Sequence, residues 1–104
     1  MDQSAFKALA DPSRRRILSL LRKRSMTAGE LADQFDLAKS TLSGHFNVLK
    51  DAGLVQEERR GNSIVYHLNL SVAEELLAAV MDLLGTGRPD EHPGEDRVED
   101  KLAK

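Results

Sequence analysis

The chain has 104 residues, room for one domain around one modest core and for no separate catalytic or sensory domain. Apolar residues make up 40% and charged residues 31%, a soluble globular composition with no run near the roughly 18 apolar residues of a membrane helix. Cysteine is absent, which excludes disulfides, thiolate metal sites, thiol redox sensing and cysteine nucleophiles together, and the formal net charge is only −2.

Taken in chain order, Ser4 to Leu9 reads as a short helix with Phe6 and Leu9 as apolar anchors. Asp11-Pro12 starts a second helix, to about Lys23, because Asp is a good N-cap and Pro suits the first helical position. Its apolar residues Ile17, Leu18, Leu20 and Leu21 fit helical spacing, with arginines on the remaining face. Arg14 reads first as a structural ion-pairing residue and second as a phosphate contact. Thr27 with Glu30 forms a capping box that opens a third helix, 27–35, buried through Leu31, Ala32 and Phe35. Asp36-Leu37-Ala38 is a tight connection to a fourth helix, Lys39 to Ala52, buried through Leu42, Phe46 and Leu49 and stopped by Gly53.

The period then changes. Leu54 to Arg59 and Ser63 to Leu68 read as two strands joined by a Gly61-Asn62 hairpin turn. Ser71 caps a last helix to Leu84, where Gly85, Gly87 and Pro89 stop it. Residues 85–104, rich in charge, Gly and Pro, read as a mobile tail with a weakly supported helix at 98–103. The expected fold is mainly α with a small β-hairpin, in the order α-α-α-α-β-β-α: a winged helix-turn-helix domain over 1–84, followed by the tail over 85–104. The start of the chain has no apolar stretch of the signal-peptide kind, so the expected location is the cytoplasm, without membrane insertion.

Two short helices joined by a tight turn suit DNA reading, because the second fits the major groove while the first crosses the backbone. No acidic residue lies between Asp36 and Asp51, whereas Lys39 and Lys50 do. Ser40, Thr41, Ser43, Gly44 and His45 fill the first two turns of the reader helix and are expected to face base edges: they are small or hydrogen-bonding and carry no carboxylate. Lys39, Lys50, Arg59, Arg60 and Asn62 are expected to hold phosphate or form the wing, since local basic patches rather than net charge create the footprint for nucleic acid. An ordinary amphipathic helix and a solvated turn explain each part alone; the order reader helix, glycine stop, strand and basic hairpin is far more specific. His67 reads as structural, and the three histidines lack the short spacings of a metal site.

Asp11-Pro12-Ser13-Arg14-Arg15-Arg16-Ile17-Leu18, Ser40-Thr41-Leu42-Ser43-Gly44-His45-Phe46 through Gly53-Leu54-Val55, and Arg60-Gly61-Asn62-Ser63-Ile64-Val65-Tyr66-His67-Leu68 resemble, in that order, the opening, the recognition helix and the wing of the ArsR family of winged-helix repressors. Met26 to Ala32 resembles the family's metal-independent autorepressor branch. The resemblance implies a homodimer built from the first and last helices, binding double-stranded DNA at an imperfect inverted repeat and repressing by occlusion, often of its own promoter. Phe6, Leu9, Val72, Leu76, Leu77, Val80, Met81 and Leu84 are the expected dimer interface, since the last helix carries an apolar stripe too wide for one small core. Many relatives sense metals through cysteines or through His and carboxylates of the last helix; here that helix offers Glu74, Glu75 and Asp82 but no His, so neither metal nor cofactor is expected. Release from DNA then falls to a protein partner acting as anti-repressor, or to dilution. The alternative function is a winged-helix module that binds another protein, favoured by the acidic tail. An enzyme is disfavoured, for no nucleophile elbow, phosphate loop or metal-hydrolase motif is present.

Overall fold

The computed structural model describes residues 3–85, so the tail after Gly85, including the helix expected at 98–103, lies outside the described residues. The element order is α1 (Gln3–Ala8), α2 (Pro12–Lys23), β1 (Met26–Thr27), α3 (Ala28–Ala32), α4 (Lys39–Asp51), β2 (Val55–Arg60), β3 (Ser63–Leu68) and α5 (Leu70–Leu84). The sheet has three strands where a two-stranded hairpin is expected. β1 pairs antiparallel with β3 through Met26–Tyr66 and Thr27–Val65, giving the order β1-β3-β2. Two residues are too short to show an alternating pattern, which is why this strand has no signature in the sequence.

Each helix boundary has a local cause. The Asp11 carboxylate accepts from the amides of Ser13 (2.7 Å) and Arg14 (3.3 Å) at the start of α2. The Thr27–Glu30 capping box forms in full: Thr27 Oγ1 accepts from the Glu30 amide (3.0 Å) and Glu30 Oε1 from the Thr27 amide (2.9 Å). The helix it opens is shorter than the expected 27–35. After Ala32 the amides of Gln34 and Phe35 bond three residues back, to Leu31 and Ala32, and the chain tightens into a turn. Helix α4 ends in a Schellman motif, in which the Leu54 amide bonds to Leu49 O (3.0 Å) and the Gly53 amide to Lys50 O (2.9 Å). Gly53 has φ +78, the left-handed conformation that favours glycine. Gly61, at φ +59, occupies the first position of the two-residue hairpin loop closed by the Arg60–Ser63 pair. The N-cap of α5 is Asn69, whose side chain accepts from the Val72 amide; Ser71, the expected cap, is already inside the helix.

The core lies where all these elements meet. Ile17 and Leu21 of α2, Leu31 of α3, Leu42, Phe46 and Leu49 of α4, Leu54, Val55, Tyr66 and Leu76 are all buried. Phe46 packs on Tyr66 with ring centroids 4.4 Å apart, tying α4 to the middle strand, and the Arg16 guanidinium lies 4.9 Å from the centre of the Phe35 ring.

The capping box has a pH signature. The Thr27 amide bonded to the Glu30 carboxylate outweighs the cost of partial desolvation and, helped by Arg24, holds its pKa below the ordinary 4.5. A depressed carboxylate contributes stability that is present above its unfolded pKa and lost as pH falls through the folded one. Glu30→Gln keeps the box but not the charge. Urea melts are therefore expected to show the wild type more stable than Glu30→Gln at pH 7, with the two converging as pH drops below 4.5.

Candidate nucleic-acid interface

Helix α4 buries one stripe and exposes another. Leu42, Phe46 and Leu49 fix the inward side, and at 100° per residue Ser40, Ser43, Gly44 and Asn47 gather on the opposite side, all exposed, with Thr41 at its edge. A methyl group placed on Gly44 would meet nothing within 4 Å, so the backbone there is open to close approach. Asn47 joins this face in addition to the residues expected there, lying four residues after Ser43 and seven after Ser40, the spacing of one helical face. Ala38 occupies the N-cap of α4 and provides no side-chain cap, so its own side chain leaves the anion-favouring end of this helix open.

His45 requires a correction. It is not part of the outward face: its side chain is 13% exposed and turned towards the start of α2. Its Nδ1 lies 3.2 Å from Arg14 Nη1, and its Nε2 lies 3.8 Å from Asp11 Oδ1. Its place at the flank of the buried stripe, beside Phe46 and three residues from Leu42, lets it turn either way, and the Arg14 donor draws it inward. Arg14 is structural, as expected, but through hydrogen bonds to carbonyls: its Nε donates to Ala8 O (2.9 Å) and its Nη2 to Lys7 O (3.0 Å). Arg15 Nη1 donates to Leu9 O at 2.7 Å, so two arginines of α2 together satisfy the end of α1.

The expected phosphate contacts divide into paired and unpaired cations. Lys50 Nζ donates to Glu57 Oε1 at 2.6 Å, and this bond raises the lysine pKa. Arg60 makes two parallel bonds of 3.0 Å to the Glu58 carboxylate, which also lies 2.7 Å from His67 Nε2; His67 Nδ1 in turn lies 2.6 Å from Ser25 Oγ. The donors from Arg60, then His67, hold Glu58 below the usual carboxylate range. Among the described residues, Lys39 and Arg59 are exposed cations with no carboxylate partner, and Asn62 is exposed at the hairpin tip.

The expected interface residues also divide. Leu76 is only 5% exposed and belongs to the domain's own core, so it is not a free contact. Leu9, Val72 and Val80 are half-buried against that core, and Met81 is half-buried. Phe6, Leu77 and Leu84 are exposed, Leu77 at 60%, and Leu70 and Leu83 join them. Between α2 and α5 runs an apolar groove of about 510 Å³, lined by Leu18 and Leu54 and by Ala73, Leu77 and Val80, with Arg15 and Arg22 also contributing. Among the described residues no group of three or more His, Asp or Glu could hold a metal ion, and no helix is long and apolar enough to cross a membrane.

Residues 9–58, spanning α2 through most of β2, match the model of a helix-turn-helix domain family. The chain is 38% identical over 87 residues to the transcriptional repressor SdpR of Bacillus subtilis, covering 84% of this chain and 97% of that protein. It is 39% identical over 93 residues to the HTH-type transcriptional regulator NmtR of Mycobacterium tuberculosis, covering 86% and 78%. The crystal structure of an ArsR family transcriptional regulator superimposes with a TM-score of 0.66 at 29% identity, covering 83% of this chain and 92% of the other. The three-stranded winged fold and these relatives place the chain in the ArsR family of winged helix-turn-helix transcriptional repressors, which are DNA-binding regulators and not enzymes.

Proposed function

We propose that the protein is a homodimeric, sequence-specific repressor that reads an inverted-repeat operator with α4, acts on its own promoter among its targets, and senses no metal. The observation that carries this reading is the outward face of α4: Ser40, Ser43, Gly44 and Asn47 are exposed together, no carboxylate occurs from residue 37 to residue 50, and nothing overhangs Gly44. Small polar side chains let a helix reach base edges, and the first turn with Lys39 favours phosphate. Arg59 on the wing supplies a second unpaired cation. The absence of cysteine and of histidine in α5 supports a metal-independent switch, with a protein anti-repressor as the route of release and the cytoplasm as the proposed location.

A C2 dimer is supported by the exposed leucines of α5 beside the apolar groove, because contiguous apolar surface of this kind marks interfaces. Two readers related by a twofold axis would engage half-sites about one helical turn of DNA apart, or a multiple of it.

Three measurements test this. Gly44→Ala should stabilise the fold by about 0.5–1 kcal/mol, since alanine is the better helix former and its methyl has room. Gly44→Leu should fold equally well yet lose at least about tenfold in affinity for a duplex that the wild type selects from a random pool, roughly 1.4 kcal/mol. Wild-type affinity in the leucine variant would show that this face does not approach DNA.

The second is the salt slope of binding, measured by fluorescence anisotropy. Arg59→Ala should weaken selected and scrambled duplexes alike and lower the slope by about one. Arg60→Ala should change it less, because the Glu58 pair already neutralises that cation, and Glu58→Gln should raise affinity by releasing it. Binding partners that are proteins only, with duplex retention indifferent to salt, would favour the interaction-module alternative. In the third, sedimentation at micromolar concentration should give a dimer for the wild type and a monomer for Leu77→Glu, which would bury an unpaired charge in the interface.

A further inference from the structure

We propose that Arg14 and His45 form one positioning unit that sets the orientation of α4 against α1, and that His45 serves DNA recognition through Arg14 and not by touching a base. The inference rests on the reading of α4 as the DNA-contacting helix and adds residues to it that lie off the contacting face. One guanidinium bridges two helices from a third. Arg14, on the first turn of α2, donates to the last carbonyls of α1, Lys7 O at 3.0 Å and Ala8 O at 2.9 Å, and points Nη1 at His45 Nδ1 of α4, 3.2 Å away. Arginine is a donor only, so Nδ1 must offer its lone pair and the ring proton sits on Nε2, facing the Asp11 carboxylate at 3.8 Å. Asp11 is in turn fixed by the amides of Ser13 and Arg14. Each of the three guanidinium nitrogens of Arg14 thus has a partner within the fold, and the ring it holds is 13% exposed.

The leverage lies in the helical geometry. Gly44 precedes His45 by one residue, a 100° step, so a change in how the His45 ring is held turns or tilts the Ser40–Ser43–Gly44–Asn47 face. The buried stripe of Leu42, Phe46 and Leu49 fixes α4 along its axis by apolar contact, which has little directionality. The Arg14–His45 bond is directional and, reaching α1 as well, ties the reader to the N-terminal helix. A lysine cannot replace it, since a single ammonium does not present a planar fork to three acceptors.

The test is a double-mutant cycle read on the duplex that the wild-type chain selects from a random pool and on a scrambled duplex of the same length. Arg14→Ala and His45→Leu should each lower affinity for the selected duplex about tenfold, leave the scrambled duplex within about twofold, and combine without further loss. His45→Asn, whose Oδ1 takes the place of Nδ1, should restore affinity to within about threefold of wild type, whereas Arg14→Lys should not rescue. Nitrogen chemical shifts of the imidazole in the full chain, without DNA, should show Nε2 protonated and Nδ1 accepting, and the Nδ1 signal should move in Arg14→Ala; this reading stands even if one variant folds poorly. Additive losses in the cycle, no advantage of Asn over Leu at position 45, or a protonated Nδ1 would overturn the proposal. Failure of the wild type to select any duplex would sink the DNA reading instead, and the nitrogen shifts would still decide whether Arg14 holds His45.

Discussion

Burial of one stripe of α4 is the constraint on which the rest of the structure depends. A helix that must present one side to a partner has to be held by the other, and here Leu42, Phe46 and Leu49 are the hold. Phe46 against Tyr66 fastens the stripe to β3, and Leu49 with Leu54 closes the Schellman turn that sends the chain into β2. The reader and the wing are therefore not independent appendages. The turn that ends one sets the starting direction of the other, and the left-handed conformation of Gly53 is what the turn requires. Losing the stripe would leave the polar face without a fixed bearing, which matters because base reading depends on placing side chains at donor and acceptor positions in the groove.

Electrostatics is arranged on a smaller scale than net charge reveals. Two of the wing-side cations, Lys50 and Arg60, are matched to neighbouring carboxylates on β2, while Arg59 and Lys39 carry no such partner among the described residues. Exposed pairs of this type contribute little to stability. On the proposed reading their consequence is for affinity: a cation already paired releases fewer counterions on meeting phosphate, so the paired carboxylates would moderate non-specific attraction. A repressor that must leave as well as find its site benefits from that moderation.

The sequence was legible wherever the cause was local. Asp11-Pro12, the Thr27–Glu30 box, Gly53 and Gly61-Asn62 each act within a few residues, and each boundary they mark is present. Most of the illegible features depend on partners distant in the chain. β1 exists because Met26 and Thr27 meet Tyr66 and Val65, some forty residues on. His45 turns inward because Arg14, thirty-one residues earlier, offers it a donor. Lys50 looks like a free cation until β2 folds back beside α4 and brings Glu57 to it, whereas the Arg60–Glu58 pair, two residues apart on one strand, follows from the alternation of β2 alone. Asn47 is a local feature too: it follows from the 3.6-residue period, but lies just past the first two turns of α4, the stretch expected to face base edges. At α5 two good capping residues, Asn69 and Ser71, stand two apart, and local preference could not choose; the Asn69 amide bonded to Leu54 O fixes the choice from outside.

Helix α5 carries more apolar surface than its own domain uses. Leu76 fills the core, and Val72 and Val80 lean against it, yet Leu77, Leu83 and Leu84 remain exposed, Leu83 at 74%. A domain of this size buries a smaller share of its surface than a larger one, so additional apolar contact has a proportionally larger effect on its stability. The groove beside α5 is floored by α2, the same helix whose first turn holds both α1 and His45. On the proposed reading, whatever covers that groove would contact the helix that positions the reader. If the proposed dimer forms there, association at α5 and orientation at α4 meet on α2. In a chain that lacks cysteine, and whose last helix lacks histidine, the proposed dimerisation would leave assembly itself as a physical variable by which DNA affinity is adjusted.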